Sequence, residues 1–175
     1  MGDPKKQRKK FSKPGHPWQK ERIESEKEIL KQYGLRRKYE IWKMDSMLKK
    51  FLNRAKTIIG QKSIQSELEG KQLLNRLCLL GLLKKDSKFE DVLNLTLKEV
   101  LERRLQTLVY RKNFAKTMRQ ARQFIIHEHV VVGRRKITMP SYLVSTEEEP
   151  QIRLAQPIKL ATDSAEHKVD KVKTD

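Results

Sequence analysis

Residues 96–136 read TLKEVLERRLQTLVYRKNFAKTMRQARQFIIHEHVVVGRRK, and the periods inside this run decide the fold. Thr96-Leu97-Lys98-Glu99 has capping-box spacing, in which the Thr96 hydroxyl accepts from the Glu99 amide and the Glu99 carboxylate reaches back. Leu95 and Val100 add a hydrophobic staple. Leu97, Val100, Leu101, Leu105 and Leu108 then recur at helical steps, so one helix is expected over 95–109. A second box, Thr117-Met118-Arg119-Gln120, opens a helix that buries Met118, Ala121, Phe124 and Ile125. After it the period changes. His129–Val132 and Lys136–Val144 are rich in β-branched residues, and Gly133-Arg134-Arg135 between them fits a hairpin turn.

Outward from this run the chain is helical on one side and decays on the other. Ile29, Leu30 and Tyr33 share a face of a helix starting near Glu21, with Gly34 placed as a left-handed C-cap. Ile41, Met44, Leu48, Phe51, Leu52, Ala55, Ile58 and Ile59 form the clearest helical stripe, closed by Gly60. A third helix, from Glu67 to Leu80, buries Leu73, Leu74, Leu77 and Leu80 and stops at Gly81. Residues 1–20 read as a basic arm without a core, where Pro14, Gly15 and Pro17 oppose helix formation. Beyond Ser145, acidic residues and prolines mark decay into a mobile tail, with a short strand at Ile152–Leu154. The expected class is α+β. It comprises a basic arm (1–20), a helical N-terminal domain (21–102), a helix–helix–β-hairpin module (103–160) and a flexible tail (161–175).

Forty Lys and Arg against 22 Asp and Glu leave a net charge of +18 on 175 residues. Such a chain repels itself unless a polyanion neutralises it. The excess lies in two blocks, +11 over residues 1–60 (18 basic, 7 acidic) and +8 over 96–145 (11 basic, 3 acidic). The stretch Leu77–Leu83 is too short for a membrane span. No apolar run follows the basic N-terminus, so neither a secretory signal nor a membrane partner is expected. Cys78 is the single cysteine, which rules out an intrachain disulfide and fits a reducing compartment.

The second block carries the chemistry. Arg103, Arg104, Arg111, Lys112, Lys116, Arg119, Arg122, Arg134, Arg135 and Lys136 come from two helices, their connection and the hairpin. Arg119 and Arg122, three apart, are expected on one face, forking neighbouring phosphates. Arginine outnumbers lysine here, and guanidinium binds phosphate bidentately and stacks on unpaired bases. Helical arginines ordinarily face solvent or pair with glutamate. With only Glu99, Glu102 and Glu128 in this block, most of these are expected to lack an internal partner. Lys5, Lys6, Arg8, Lys9, Lys10 and Lys13 form a second RNA-binding run, on the arm. An enzyme is not expected. No Gly-rich phosphate loop, paired cysteines or nucleophile with a base is legible, and no catalytic residue, cofactor or small-molecule substrate is assigned. His127 and His129 alternate as on a strand, which would turn them to opposite faces and exclude a shared metal.

Arg103-Arg104-Leu105-Gln106-Thr107, Val109-Tyr110-Arg111, Gln120-Ala121-Arg122-Gln123, His127-Glu128-His129-Val130 and Pro140-Ser141-Tyr142 resemble the RNA-binding domain named after small ribosomal subunit protein four. Upstream, Glu69-Gly70, Leu73-Leu74-Asn75-Arg76-Leu77 and Leu93-Asn94-Leu95 are similar to the archaeal and eukaryotic branch of that ribosomal protein family, in order over residues 4–155. The resemblance implies a structural, cytoplasmic component of the small subunit. It would bind ribosomal RNA at a multi-helix junction, nucleate assembly of the subunit body and contact small-subunit protein five among other subunit proteins, with an effect on decoding accuracy. It adds Gln123 and His127 to the binding surface, and implies that Asn113, where relatives commonly have Gly, holds a left-handed turn. The competing reading is a free-standing RNA-binding factor of the ribosome-rescue or stress type that uses the same module.

Overall fold

The computed structural model describes residues 9, 11–61, 63–84 and 87–155. Its architecture is α+β. Helices α1 (Lys20–Gln32), α2 (Lys38–Gly60), α3 (Ile64–Leu79), α4 (Phe89–Leu93) and α5 (Leu97–Glu102) precede α6 (Leu105–Arg111) and α7 (Met118–Ile126). Strands β1 (Val130–Val132), β2 (Arg135–Lys136) and β3 (Ile152–Leu154) follow, all pairs antiparallel in the order β2-β1-β3.

Two apolar cores result. The first gathers Tyr33, Ile41, Met44, Leu48, Phe51 and Ala55 with Leu73, Leu77, Val92, Val100 and Leu101 around α2. The second packs Leu105, Leu108, Val109, Ala121, Phe124 and Ile125 on Val130, Val132, Val144 and Ile152. In the first, α3 passes close under Phe89. A Cβ built on Gly70 would lie 2.4 Å from Phe89 Cζ, so only glycine lets the ring seat. Gly70→Ala is expected to cost about 1–3 kcal/mol by overpacking, read as a lowered urea midpoint. An unchanged midpoint would mean that the ring moves aside freely.

Four helices end alike. After α1, α3, α6 and α7 a left-handed residue stands at Gly34, Gly81, Asn113 and Glu128 (φ +57, +67, +58 and +62). The amide one residue further donates back five positions: Leu35 to Leu30 O, Leu82 to Leu77 O, Phe114 to Val109 O and His129 to Phe124 O, at 2.9–3.1 Å. This satisfies carbonyls that the helix leaves open and turns the chain sharply. Gly34, Gly81 and Asn113 fulfil their expected roles. Gly60 does not, because α2 runs through it and Gln61 is the cap.

Several expectations are corrected. The single helix over 95–109 is two helices, broken at Arg103 and Arg104. Arg104 is extended (φ −71, ψ 141) and bridges antiparallel to Leu143. The Leu105 amide donates to Tyr142 O at 2.8 Å and the Val144 amide to Arg103 O at 3.1 Å, replacing the helical ladder with a sheet-like one. The strand expected over 136–144 is only Arg135–Lys136, because residues 142–144 are engaged at this break and Pro140 has no amide hydrogen to donate. The hairpin turn is the two-residue Gly133-Arg134, since Val132 pairs with Arg135. At α7 the second box is split: Thr117 accepts from the Gln120 amide at 3.2 Å, but Gln120 Oε1 accepts from Lys116 rather than Thr117. The arm is not wholly without a core. Phe11 lies 6.2 Å from both Tyr39 and Trp42, and the Ser12 amide donates to Ser46 Oγ at 3.1 Å. The expected tail over 161–175 lies outside the described residues.

Candidate nucleic-acid interface

The basic side chains of the second block separate into three groups. Arg104 and Arg122 form the buried one. Arg104 is 1% exposed, and its Nη2 donates to Glu40 Oε2 at 2.9 Å. Arg122 Nη1 lies 3.2 Å from both Glu40 oxygens. Glu40, in the first turn of α2, is thus the anion shared by two guanidiniums from the second core. Burial pushes its carboxyl up, but the hydrogen bonds and charges of Arg122 and Arg104 outweigh this and hold it below the ordinary glutamate range. Arg104 shows the reverse balance: burial lowers its pKa more than Glu40 restores it. The asymmetry follows from partners, since Glu40 has two cations while Arg104 Nε and Nη1 find none among the described residues. The expectation that Arg119 and Arg122 share a phosphate-forking face is therefore corrected, because Arg122 turns inward while Arg119 stays exposed.

The second group surrounds a hollow lined by Gly81, Glu102 and Glu149. Arg103 Nη1 pairs with Glu149 Oε2 at 2.7 Å and Nη2 donates to Val144 O at 3.1 Å. Arg111 pairs with Glu102 at 2.6 Å while remaining half exposed, and Lys112 Nζ donates to the Glu149 carbonyl. The expectation that most of these arginines lack internal carboxylates fails for Arg103, Arg104, Arg111 and Arg122. Glu40 and Glu149 lie outside the basic block of residues 96–145.

The third group is at the surface. Arg119, Gln123 and the C-cap His127 are exposed at four-residue steps, one stripe along α7, and Lys116 is exposed just before the N-cap Thr117. Arg134, Arg135 and Lys136 are exposed on the hairpin. Lys136 approaches Glu128 only to 3.9 Å, with both side chains in solvent, a pair that contributes little. Lys31, which sequence reading did not single out, joins Lys116, Arg119 and Tyr110 around a hollow of about 420 Å³ between the end of α1 and the start of α7. Of the arm, Lys9 and Lys13 are exposed, and Lys5, Lys6, Arg8 and Lys10 lie outside the described residues.

His127 and His129 are not alternate residues of one strand. His127 caps α7, and the left-handed Glu128 brings the two rings within 6.4 Å. Among the described residues no group of three or more His, Cys, Asp or Glu is placed to hold a metal ion. No helix among them is long and apolar enough to cross a membrane.

Helices α6 and α7, the hairpin and the segment returning to β3 define a compact module, and residues 103–149 match the S4 domain family. The chain is similar well beyond that module. It is 47% identical over 174 residues to small ribosomal subunit protein uS4 of Methanococcus aeolicus, covering 99% of this chain and 98% of that protein. It is 48% identical over 150 residues to the uS4 proteins of two Saccharolobus islandicus strains, covering 85% of this chain and 83% of theirs. The chain belongs to the small ribosomal subunit protein uS4 family.

Proposed function

We propose that this protein is a structural, non-enzymatic component of the small ribosomal subunit that binds ribosomal RNA. The observation that carries the reading is full-length likeness to uS4 proteins in a chain of net charge +18. The contact surface we assign is Lys116 and the α7 stripe of Arg119, Gln123 and His127, with Arg134, Arg135 and Lys136 on the hairpin. Each side chain is exposed, and the set spans a helix face and a turn, as recognition of folded RNA by shape and phosphate position requires. Arg103, Arg111 and Lys112 form a second, weaker patch, partly neutralised by Glu102 and Glu149. Arg104 and Arg122 act through Glu40 to fix α6 and α7 rather than by touching phosphate. The basic arm, including Lys9 and Lys13, adds sequence-independent attraction.

In the same reading the protein binds a multi-helix junction early, nucleates the subunit body and meets small-subunit protein five, through which it affects decoding accuracy. These finer roles rest on the family resemblance. The binding test uses a folded small-subunit RNA fragment. Arg119→Ala and Arg134→Ala are each expected to cost about 1.5–3 kcal/mol of affinity, as loss of a charge-assisted hydrogen bond does. Helicity should be unchanged. Full affinity in both variants would reassign the surface. Sedimentation tests residence: a structural component stays with small subunits through a high-salt wash, whereas a transient stress or rescue factor is released.

A further inference from the structure

A cleft beside the buried Glu40 cluster belongs to neither of the two basic surface patches. It lies between α2 and residues 139–143, with a volume of about 670 Å³, within the range of small-ligand sites. Its walls are Met44, Met47 and Phe51 on one side and Met139, Tyr142 and Leu143 on the other. Its remaining charged lining is uniformly cationic: Lys43, Lys50, Arg54 and Arg76, with no carboxylate among the lining residues. A smaller hollow of about 150 Å³ shares Lys43, Met44 and Ser141 with this cleft and is otherwise bounded by Tyr39, Glu40, Arg104, Arg122 and Pro140. Glu40 is already shared by two guanidiniums, so this end retains positive charge. The buried Arg104 also keeps Nε and Nη1 without a partner among the described residues.

We propose that the cleft accommodates one unpaired nucleotide, its base between the methionines of α2 and Met139–Leu143 and its phosphate at the Lys43 end, in the positive field of the Arg104–Glu40–Arg122 cluster but not bonded to it. The proposal rests on the RNA-binding reading above. Three features favour a nucleotide over a purely apolar occupant. A base is a flat apolar body attached to an anion, matching an apolar slot that opens on a cationic end. Thioether sulfur and aliphatic groups make favourable contacts with aromatic faces. Bases splayed from a folded RNA are recognised in such clefts, where a helical stem cannot enter. An acidic amphipathic protein segment would also find apolar walls and cations, but it would be extended or helical rather than a single flat group. Met139 stands 64% exposed at the mouth, where an incoming base would cover it.

The methionines are their own reporters. In the full chain carrying ¹³C-methyl methionine, a folded small-subunit RNA fragment is expected to shift Met44, Met47 and Met139 together through ring currents. Met118 packs at the Gly34 turn beside Arg119 and reports arrival of RNA on the α7 stripe instead. Adenosine monophosphate at high concentration should shift the same three cleft methyls, and ribose 5-phosphate should leave them nearly in place. Met139→Glu, at an exposed position, should preserve the remaining methyl spectrum and weaken RNA binding about tenfold. A shift of Met118 with all three cleft methyls unmoved overturns this proposal and leaves the RNA-binding reading intact. Failure of the RNA to bind at all overturns both. Unchanged affinity in Met139→Glu, or a stronger response to an acidic leucine-containing peptide than to the nucleotide, also overturns it, the latter in favour of a protein occupant.

Discussion

Glu40→Gln is expected to remove about 3–5 kcal/mol of folding stability, the cost of breaking a buried ion pair from one side. The carboxylate is held by Arg104 at 2.9 Å and Arg122 at 3.2 Å, and its side chain is 8% exposed. Without it two guanidiniums share a site in which Arg104, 1% exposed, is almost wholly withdrawn from solvent. Urea unfolding at neutral pH reads the loss, and a change below about 1 kcal/mol would place the pair in the class of weak surface contacts. Removing Glu40 together with its fully buried partner is a different experiment, because Arg122, 23% exposed, can turn to solvent. Glu40→Leu combined with Arg104→Met should recover most of the loss, since apolar replacements of similar volume satisfy a buried site without desolvating ions. The pH dependence has a definite sign. Glu40 titrates below its unfolded value of about 4.3, so its contribution is complete above that pH and drains away as pH falls through the folded pKa. The gap between the native chain and Glu40→Gln should therefore narrow steeply below about pH 4.

The second large effect is on binding. Affinity for the folded RNA fragment is expected to fall about a thousandfold or more between about 50 and 200 mM monovalent salt if six to ten phosphates are contacted. The exposed cations at α7 and on the hairpin supply five of these, Lys116, Arg119, Arg134, Arg135 and Lys136, and the arm supplies others. Each alanine substitution among the five should lower the slope of log affinity against log salt by about one. Arg104 and Arg122 should leave that slope nearly unchanged even where they lower the amount of folded protein. A salt-insensitive complex would mean that the charge serves some other purpose.

Most of what orders this fold is local, and so was readable from spacing. The α2 stripe from Ile41 to Ala55 is buried as its period requires, and Gly34, Gly81 and Asn113 adopt the left-handed turns expected of them. The helix break at Arg103–Arg104 carried no such mark. No glycine or proline stands there, and the apolar stripe from Leu97 to Leu108 keeps helical spacing across it. The cause is a segment about 40 residues downstream, whose Tyr142 and Val144 take the hydrogen bonds. The same distance problem hid the shared carboxylate, because Glu40 lies 64 residues before Arg104 and 82 before Arg122. Charge counted within a window cannot detect such a partner. Exposure on α7 was legible only in part: the period separated Arg119 from Ala121 and Ile125, but the modest turn of Arg122 toward the Met118 side gave no sign of the distant carboxylate that draws it inward.

Gln106 is a further tie between the two cores. It is 1% exposed, and its amide nitrogen lies within 2.9–3.3 Å of the carbonyls of Tyr33, Gly34 and Met118. One side chain from α6 thus spans the turn that ends α1 and the residue that begins α7. Local opening at either place must strip the same buried amide of its acceptors, so the two should not breathe separately. Backbone amide protons near Leu35 and near Ala121, 86 positions apart, should accordingly exchange with deuterium at matched free energies, as members of a single cooperative unit.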